Sequence, residues 1–277
     1  MPVVQSPSSR PRRLCLGALL LSTALAFGGC AKFNDVTGSI GAPSSQMPTT
    51  QDGVRAYTEQ WGKRYAQNST DKATGLNYAR GLRALTQYAQ AVAVLQNLAI
   101  RHPSDEEVLG AYGKALADNG RLQEAADVLQ KAHTPDRPNW SILSSQGAVA
   151  DQLGDHASAQ QFYLAALKIA PGEPSVLSNL GLSYALSRQL SLAEQTLRSA
   201  NESPRADARV RQNLALVLAL QGKFGEAEQL QQRDLSPADA AANVAGIRQM
   251  IAQSNTWRQI QQQSPQPPTA RKLSANR

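Results

Sequence analysis

The chain is poor in the residues that most often carry chemistry or build sheets. It has two cysteines, Cys15 and Cys30. Cys15 sits inside an N-terminal apolar run, so no disulfide framework is available. Phe, Trp and Tyr make up 5% of the residues, and alternating β-branched and aromatic runs, the mark of strands, are missing. Its three histidines, His102, His133 and His156, have no metal-ligand spacing such as H-E-x-x-H and are expected in or beside inter-helix turns. Ser69-Thr70-Asp71-Lys72 fits S-x-x-K but lacks the companion motifs of that chemistry, and Ser69 reads instead as a helix cap. No phosphate-cradling glycine loop, dinucleotide fingerprint or G-x-S-x-G elbow occurs. No catalytic residue, metal or cofactor is therefore expected, and the chain reads as a non-enzyme.

A large charge imbalance is also missing from the body, although the formal net charge is +7. Arg10, Arg12 and Arg13 lie near the N-terminus, Arg271, Lys272 and Arg277 near the C-terminus, and Lys32 is offset by Asp35. Taking these seven basic residues and one acidic residue from the totals of 28 and 21 leaves 21 basic and 20 acidic residues. A body so near neutrality has no broad electrostatic footprint for nucleic acid, and none is expected as a partner. Ala, Leu and Gln are abundant, and they lose little conformational freedom in a helix.

The N-terminus reads as an export signal over residues 1–29. The three arginines precede an apolar stretch from Leu14 to Phe27, interrupted only by Gly17, Ser22 and Thr23. That stretch is short for a bilayer span and suits a signal segment. It ends in Leu25-Ala26-Phe27-Gly28-Gly29-Cys30, which resembles a bacterial lipobox, with Phe27 departing from the usual Leu or Val. The resemblance implies cleavage before Cys30 and lipidation of it. Ala31, not Asp, follows the cysteine, which by likeness to proteobacterial lipoproteins implies the outer membrane, periplasmic face. Two lipid signals suffice for stable anchoring, at ~0.8 kcal/mol per buried methylene. Residues 30–50 are rich in Gly, Ser, Pro and Thr and read as a flexible tether, roughly 25 Å in root-mean-square span as a random coil.

Internal repeats dominate the body of the chain. Ala91, Ala125, Ala159, Ala193 and Ala227 share one 34-residue spacing. Ala79, Gly113, Gly147, Gly181 and Ala215 share it too, as do Gly120, Gly154, Arg188 and Gly222. Four positions after the first series come Leu95, Leu129, Tyr163 and Leu197. The pattern predicts a helix pair per unit. Small residues let the two helices approach, large ones fill the gap, glycine turns the chain, and proline ends each unit. Ser104 with Glu107, and Ser191 with Glu194, have capping-box spacing; Ser236 before Pro237 reads as a cap with a first-turn proline. The spacing resembles the tetratricopeptide repeat, a 34-residue helix–turn–helix. The expected fold is therefore all-α: a solenoid of about five units over 71–234. The family's frequent early Trp is replaced by Gly75, Leu109, Leu143, Leu177 and Arg211, and Gln231 stands where a large apolar residue is expected.

Half units are expected at both ends. Tyr57, Trp61 and Tyr65 recur at helical spacing, and Tyr57 and Trp61 lie one period before Ala91 and Leu95, predicting an N-terminal capping helix over 51–70. Val244, Ile247, Met250 and Ile251 share a stripe, predicting a C-terminal capping helix over 235–256. From 257 to 277 the Gln, Pro and basic composition reads as a disordered tail.

With no chemistry to place, function is expected from shape. Stacked helix pairs make a concave groove lined by each unit's first helix. Asn77, Asn179 and Asn213 occupy one register in three units, with Ala111 and Ser145 in the others. In the resembled family an Asn there often bonds the backbone of an extended peptide, since an amide both donates and accepts. It equally fits a purely packing role, and both readings stay open. Arg80, Arg83 and Lys114 add positive charge near the groove's N-terminal half, with Asp118 and Asp151 further along; these read as groove contacts or as solvated helix charge. The lipobox, the five units and the stretch from Leu235 to Arg248 together resemble the TadD-type lipoproteins of the tight-adherence (Flp) pilus system. That likeness implies a pilotin-like scaffold with a protein or extended-peptide partner, such as a secretin or pilus component. A scaffold for β-barrel assembly or for periplasmic cell-wall enzymes is the alternative.

Overall fold

The structure, a computed structural model, describes residues 45–134 and 136–263, the last ten by their backbone alone. The expected signal segment, Cys30, most of the tether and the tail beyond 263 lie outside the described residues. Among those described there are twelve α-helices and no strand beyond one isolated bridge, Thr134 to Arg137.

The helices fall into five pairs: α2 (Lys72–Ala84) with α3 (Tyr88–Arg101), α4 (Glu106–Asp118) with α5 (Leu122–Lys131), α6 (Trp140–Gln152) with α7 (His156–Ile169), α8 (Pro174–Leu186) with α9 (Leu190–Glu202), and α10 (Ala208–Leu220) with α11 (Phe224–Gln231). α1 (Gln51–Gln67) precedes them and α12 (Pro237–Gln263) comes after them. α12 thus runs past the expected boundary at 256.

Each first helix begins on a side-chain cap: Asp71, Asp105, Asn139, Glu173 and Asp207 accept from backbone N–H groups of the first turn. These differ from the expected caps. Asp71 takes the place of Ser69, and Asp105 that of Ser104, because a carboxylate accepts orphan N–H groups with charge assistance and complements the helix dipole. Ser191 lies inside α9, whose start is set by the preceding turn and has no side-chain cap. Ser236 does cap α12, accepting from Asp239 N at 3.2 Å.

The turn inside each pair is one repeated device. Gln87, Arg121, Asp155, Gln189 and Lys223 each donate a backbone N–H to the carbonyl five residues back, at 2.8–2.9 Å. This bond closes a Schellman motif and requires a left-handed residue just before the donor. Gly120, Gly154 and Gly222 supply it with φ of +77°, +85° and +81°, while Thr86 and Arg188 adopt +59° and +63°.

Packing obeys the periodic residues. Ala91, Ala125, Ala159, Ala193 and Ala227 are fully buried. A β-carbon at Gly113, Gly147 or Gly181 would lie 2.5–2.6 Å from Leu129, Tyr163 or Leu197, so helix contact there depends on glycine. Gln231, at the position equivalent to Tyr163 and Leu197, is buried, and its Oε1 has no hydrogen-bond partner among the described residues. α1 buries Tyr57 and Trp61 and packs on α2. α12 lies against α10 and α11, burying Ala240 and Val244 and part of Ile247, whereas Met250 is 61% exposed. The apolar stripe of α12 therefore covers the last unit with its first half only.

The curvature is visible in which helices meet. α2 touches α4, α4 touches α6, α6 touches α8 and α8 touches α10, whereas among the described residues the backbones of neighbouring second helices stand further apart, α9 reaching α11 through the Arg198–Glu226 ion pair at 2.8 Å. First helices crowd together on the inside of the curve, and second helices splay on the outside.

Candidate functional site

The inner row of first helices encloses two adjoining clefts. One, of about 370 Å³, is bordered by Arg80, Arg83, Glu106, Glu107, Lys114 and Ser141 among others. The next, of about 340 Å³, runs from Arg83 on α2 across Lys114, Trp140, Ser145 and Asn179 to Arg209 on α10. Every unit contributes a first helix to this second cleft.

Of the expected groove residues, Asn77 is the most enclosed. It is buried, its Oδ1 accepts from Tyr57 Oη at 2.8 Å, and its Nδ2 donates to Ala73 O at 2.9 Å. Its amide ties the α1 cap to the first unit. Arg80 is exposed and donates to Asn77 Oδ1 at 3.4 Å and to Ser45 O at 3.2 Å, holding the chain just ahead of α1 against α2. Asn179 and Asn213 each donate to a serine of the preceding unit, Ser144 at 3.3 Å and Ser178 at 2.9 Å. One amide proton of each thus joins neighbouring units. Asn179 borders the second cleft.

Lys114 lies half-buried between the two clefts, and its Nζ donates to Ser141 Oγ at 3.0 Å. Burial lowers its pKa from the usual lysine range, the Arg83 guanidinium lowers it further, and Asp118 opposes both. Arg83 is itself paired with Asp118 at 2.6 Å. Lys72 answers Asp105 at 2.8 Å and Glu107 at 3.2 Å.

Asp151 differs from the expectation of a groove contact. Its side chain is 10% exposed and accepts from His156 Nδ1 at 2.8 Å, Ser183 Oγ at 2.8 Å and Tyr163 Oη at 3.1 Å. A carboxylate with three internal donors has its lone pairs committed, so Asp151 joins α6 to α7 and α8. Burial, reinforced by the Asp151 charge, pushes the Tyr163 hydroxyl far above the usual tyrosine range and keeps it a donor. His156 is correspondingly a half-buried partner and not a free turn residue. His133 Nε2 similarly meets Gln146 Oε1 at 3.1 Å.

Several inner-face residues escaped the sequence reading: Trp140, Ser141, Ser144, Ser178 and Arg209. Ser144 and Ser178 stand one period apart and could have been found that way. Arg209 has no such signal.

Comparison with known proteins agrees with this geometry. Tetratricopeptide-repeat models match residues 76–139 and 142–173. An uncharacterised Sinorhizobium fredii protein, y4yS, is 27% identical over 173 residues, covering 62% of this chain and 84% of its own length. The crystal structure of PilW, a widely conserved type IV pilus biogenesis factor, superposes with a TM-score of 0.59 at 17% identity, over 70% of this chain and 91% of that one. A chain of the APC/C hetero-tetramer Cut9–Hcn1 superposes with a TM-score of 0.56 at 15% identity, over 70% of this chain. This chain spans only 40% of that one's length. The described residues form an all-helical solenoid of the tetratricopeptide-repeat type. Such repeats bind proteins or peptides, and the molecule is a protein–protein interaction scaffold.

Proposed function

We propose that this scaffold is tethered through a lipid on Cys30 to the periplasmic face of the outer membrane, where it assists assembly of a Flp or type IV-like pilus or a related secretion apparatus. The scaffold part rests on one observation: five first helices form an unbroken inner row, with two clefts opening between them. The tether rests on the lipobox-like sequence ending at Cys30. The pilus assignment rests on the TadD-like combination of that motif, the repeats and the closing segment Leu235–Arg248, and the PilW fold is in keeping with it. In this reading the lipid holds the solenoid close to the membrane while the groove captures an extended segment of an assembly subunit, in the manner of a pilotin.

Deleting the gene should abolish surface pili or the multimeric secretin. Full-length protein should restore them, whereas Cys30→Ser should leave the membrane fraction and fail to restore. A Cys30→Ser chain that still sediments with outer membrane would contradict the tether. A deletion strain with normal pili but defective outer-membrane barrels or cell wall would move the scaffold to one of those machineries and overturn the pilus assignment.

A further inference from the structure

The second cleft has an uneven charge balance that the intramolecular contacts leave unresolved. Three cations border it, from three different units: Arg83 on α2, Lys114 on α4 and Arg209 on α10. The cleft's single carboxylate, Asp118, is spent on Arg83 at 2.6 Å. Lys114 donates to the hydroxyl of Ser141 and feels Asp118 only from beyond ion-pair distance, and Arg209 has no ion-pair partner among the described residues. The acids beside Arg209 are committed elsewhere. Glu173 pairs with Arg205 at 2.9 Å and caps α8, and Asp207 caps α10 by accepting from Val210 N at 3.0 Å. Between the two unanswered cations lie neutral groups, among them Ser145 and the Asn179 amide, with Trp140 alongside.

A half-buried ammonium whose nearest carboxylate is already paired with an arginine is costly, so Lys114 makes the stronger demand for an anion, while the exposed Arg209 contributes a second, more weakly held contact. Lys114 shows this directly, since burial disfavours its charged form. An incoming carboxylate would restore that charge in a site partly screened from water. The neutral amides and hydroxyls between the cations suit a peptide backbone, which needs donors and acceptors together.

The geometry points to a ligand class: the second cleft takes an acidic peptide segment, with carboxylates held by Lys114 and Arg209 and the intervening backbone against Ser145 and Asn179. This rests on the concave face being the partner-binding surface and names the chemistry of the partner segment.

The test uses the full chain in detergent and a fluorescent decapeptide of alternating Glu and Ala, monitored by anisotropy. The same peptide with Gln for Glu should bind roughly tenfold or more weakly, and added salt should erase the difference. Lys114→Met should weaken the Glu peptide by roughly five- to twentyfold, and Arg209→Gln, at an exposed position, by roughly two- to fivefold. Lys168→Gln, at an exposed position of the outer helix α7, should leave binding unchanged. Arg209 is exposed, so Arg209→Gln keeps the test decisive even if Lys114→Met perturbs folding. Equal affinity for the Glu and Gln peptides, or indifference to Arg209→Gln, would overturn the inference. So would a single-stranded oligonucleotide that binds as tightly and responds to the same two substitutions, because the cleft would then be a general anion site. The assay needs neither lipid nor pilus, so its failure leaves the tethered-scaffold proposal standing, and failure of the tether leaves this result standing.

Discussion

At the scale of single residues, the fold depends on side chains that are absent as much as on those present. Gly147 faces the ring of Tyr163, whose Cε1 would lie 2.6 Å from an added β-carbon. The ring is fully packed and its hydroxyl is fixed to Asp151, so it has little room to give. Gly246 in α12 has nothing within 4 Å. The same substitution should therefore act in opposite directions. Gly147→Ala should lose about 1–3 kcal/mol from overpacking, outweighing the helix-propensity gain. Gly246→Ala should gain up to about 1 kcal/mol. Urea denaturation of the two variants checks both signs. The residue scale is also where the sequence was hardest to read. Asp151 stands in a register otherwise held by Arg83, Ala117, Ala185 and Ala219, and Ser183 in one otherwise held by Gly81, Ala115, Val149 and Val217. Their bond across two units therefore has no periodic signature, and only the fold brings the two registers together. The choice between Ser104 and Asp105 as a cap was similarly local: both are capping residues, and the backbone of Asp105 alone presents its carboxylate to two N–H groups.

At the scale of elements, the helices were legible because three residue series keep one period without an insertion, and because each interhelical turn must place a residue at positive φ. The turns accept Thr86 and Arg188 in that role, which is why the glycine series has gaps. The ends were less legible. α1 keeps the repeat register, with Tyr57 and Trp61 buried as the periodic count implied. α12 keeps one buried repeat position, with Val244 following Val108, Ile142, Val176 and Val210 at 34-residue steps, but its stripe continues after the surface beneath it stops. Val244 is 4% exposed while Met250 is 61% exposed. Val244→Asp should therefore cost about 2–4 kcal/mol by burying a carboxylate among Leu218, Leu230 and their neighbours. Met250→Asp should change stability by less than about 0.5 kcal/mol. Thermal melts that rank the two alike would mean that α12 packs along its whole length.

At the scale of the whole molecule, the inner and outer faces have different jobs. Among the described residues, the outer helices stand further apart than the inner ones, with long side chains such as Arg198 and Glu226 bridging α9 to α11, and they carry exposed apolar residues singly, such as Ile100 and Leu164. The inner helices are linked across units by the Asn179–Ser144 and Asn213–Ser178 bonds, so the groove is braced where a ligand would press on it. Part of this arrangement was readable, since register alone put Asn179 and Asn213 on first helices; Asn179 and Lys114 border the second cleft, whereas Asn213 does not. The convergence of Arg83 and Arg209 on one cleft was not, because it arises from curvature, and curvature is a property of the stack and not of any unit. The most direct test of the scaffold account is site-specific photocrosslinking in living cells, with the probe at Ser145 on the inner face of α6 or at Leu164 on the outer face of α7. Partner adducts should form from Ser145 and not from Leu164; adducts confined to Leu164 would contradict the assignment of the concave face as the binding surface.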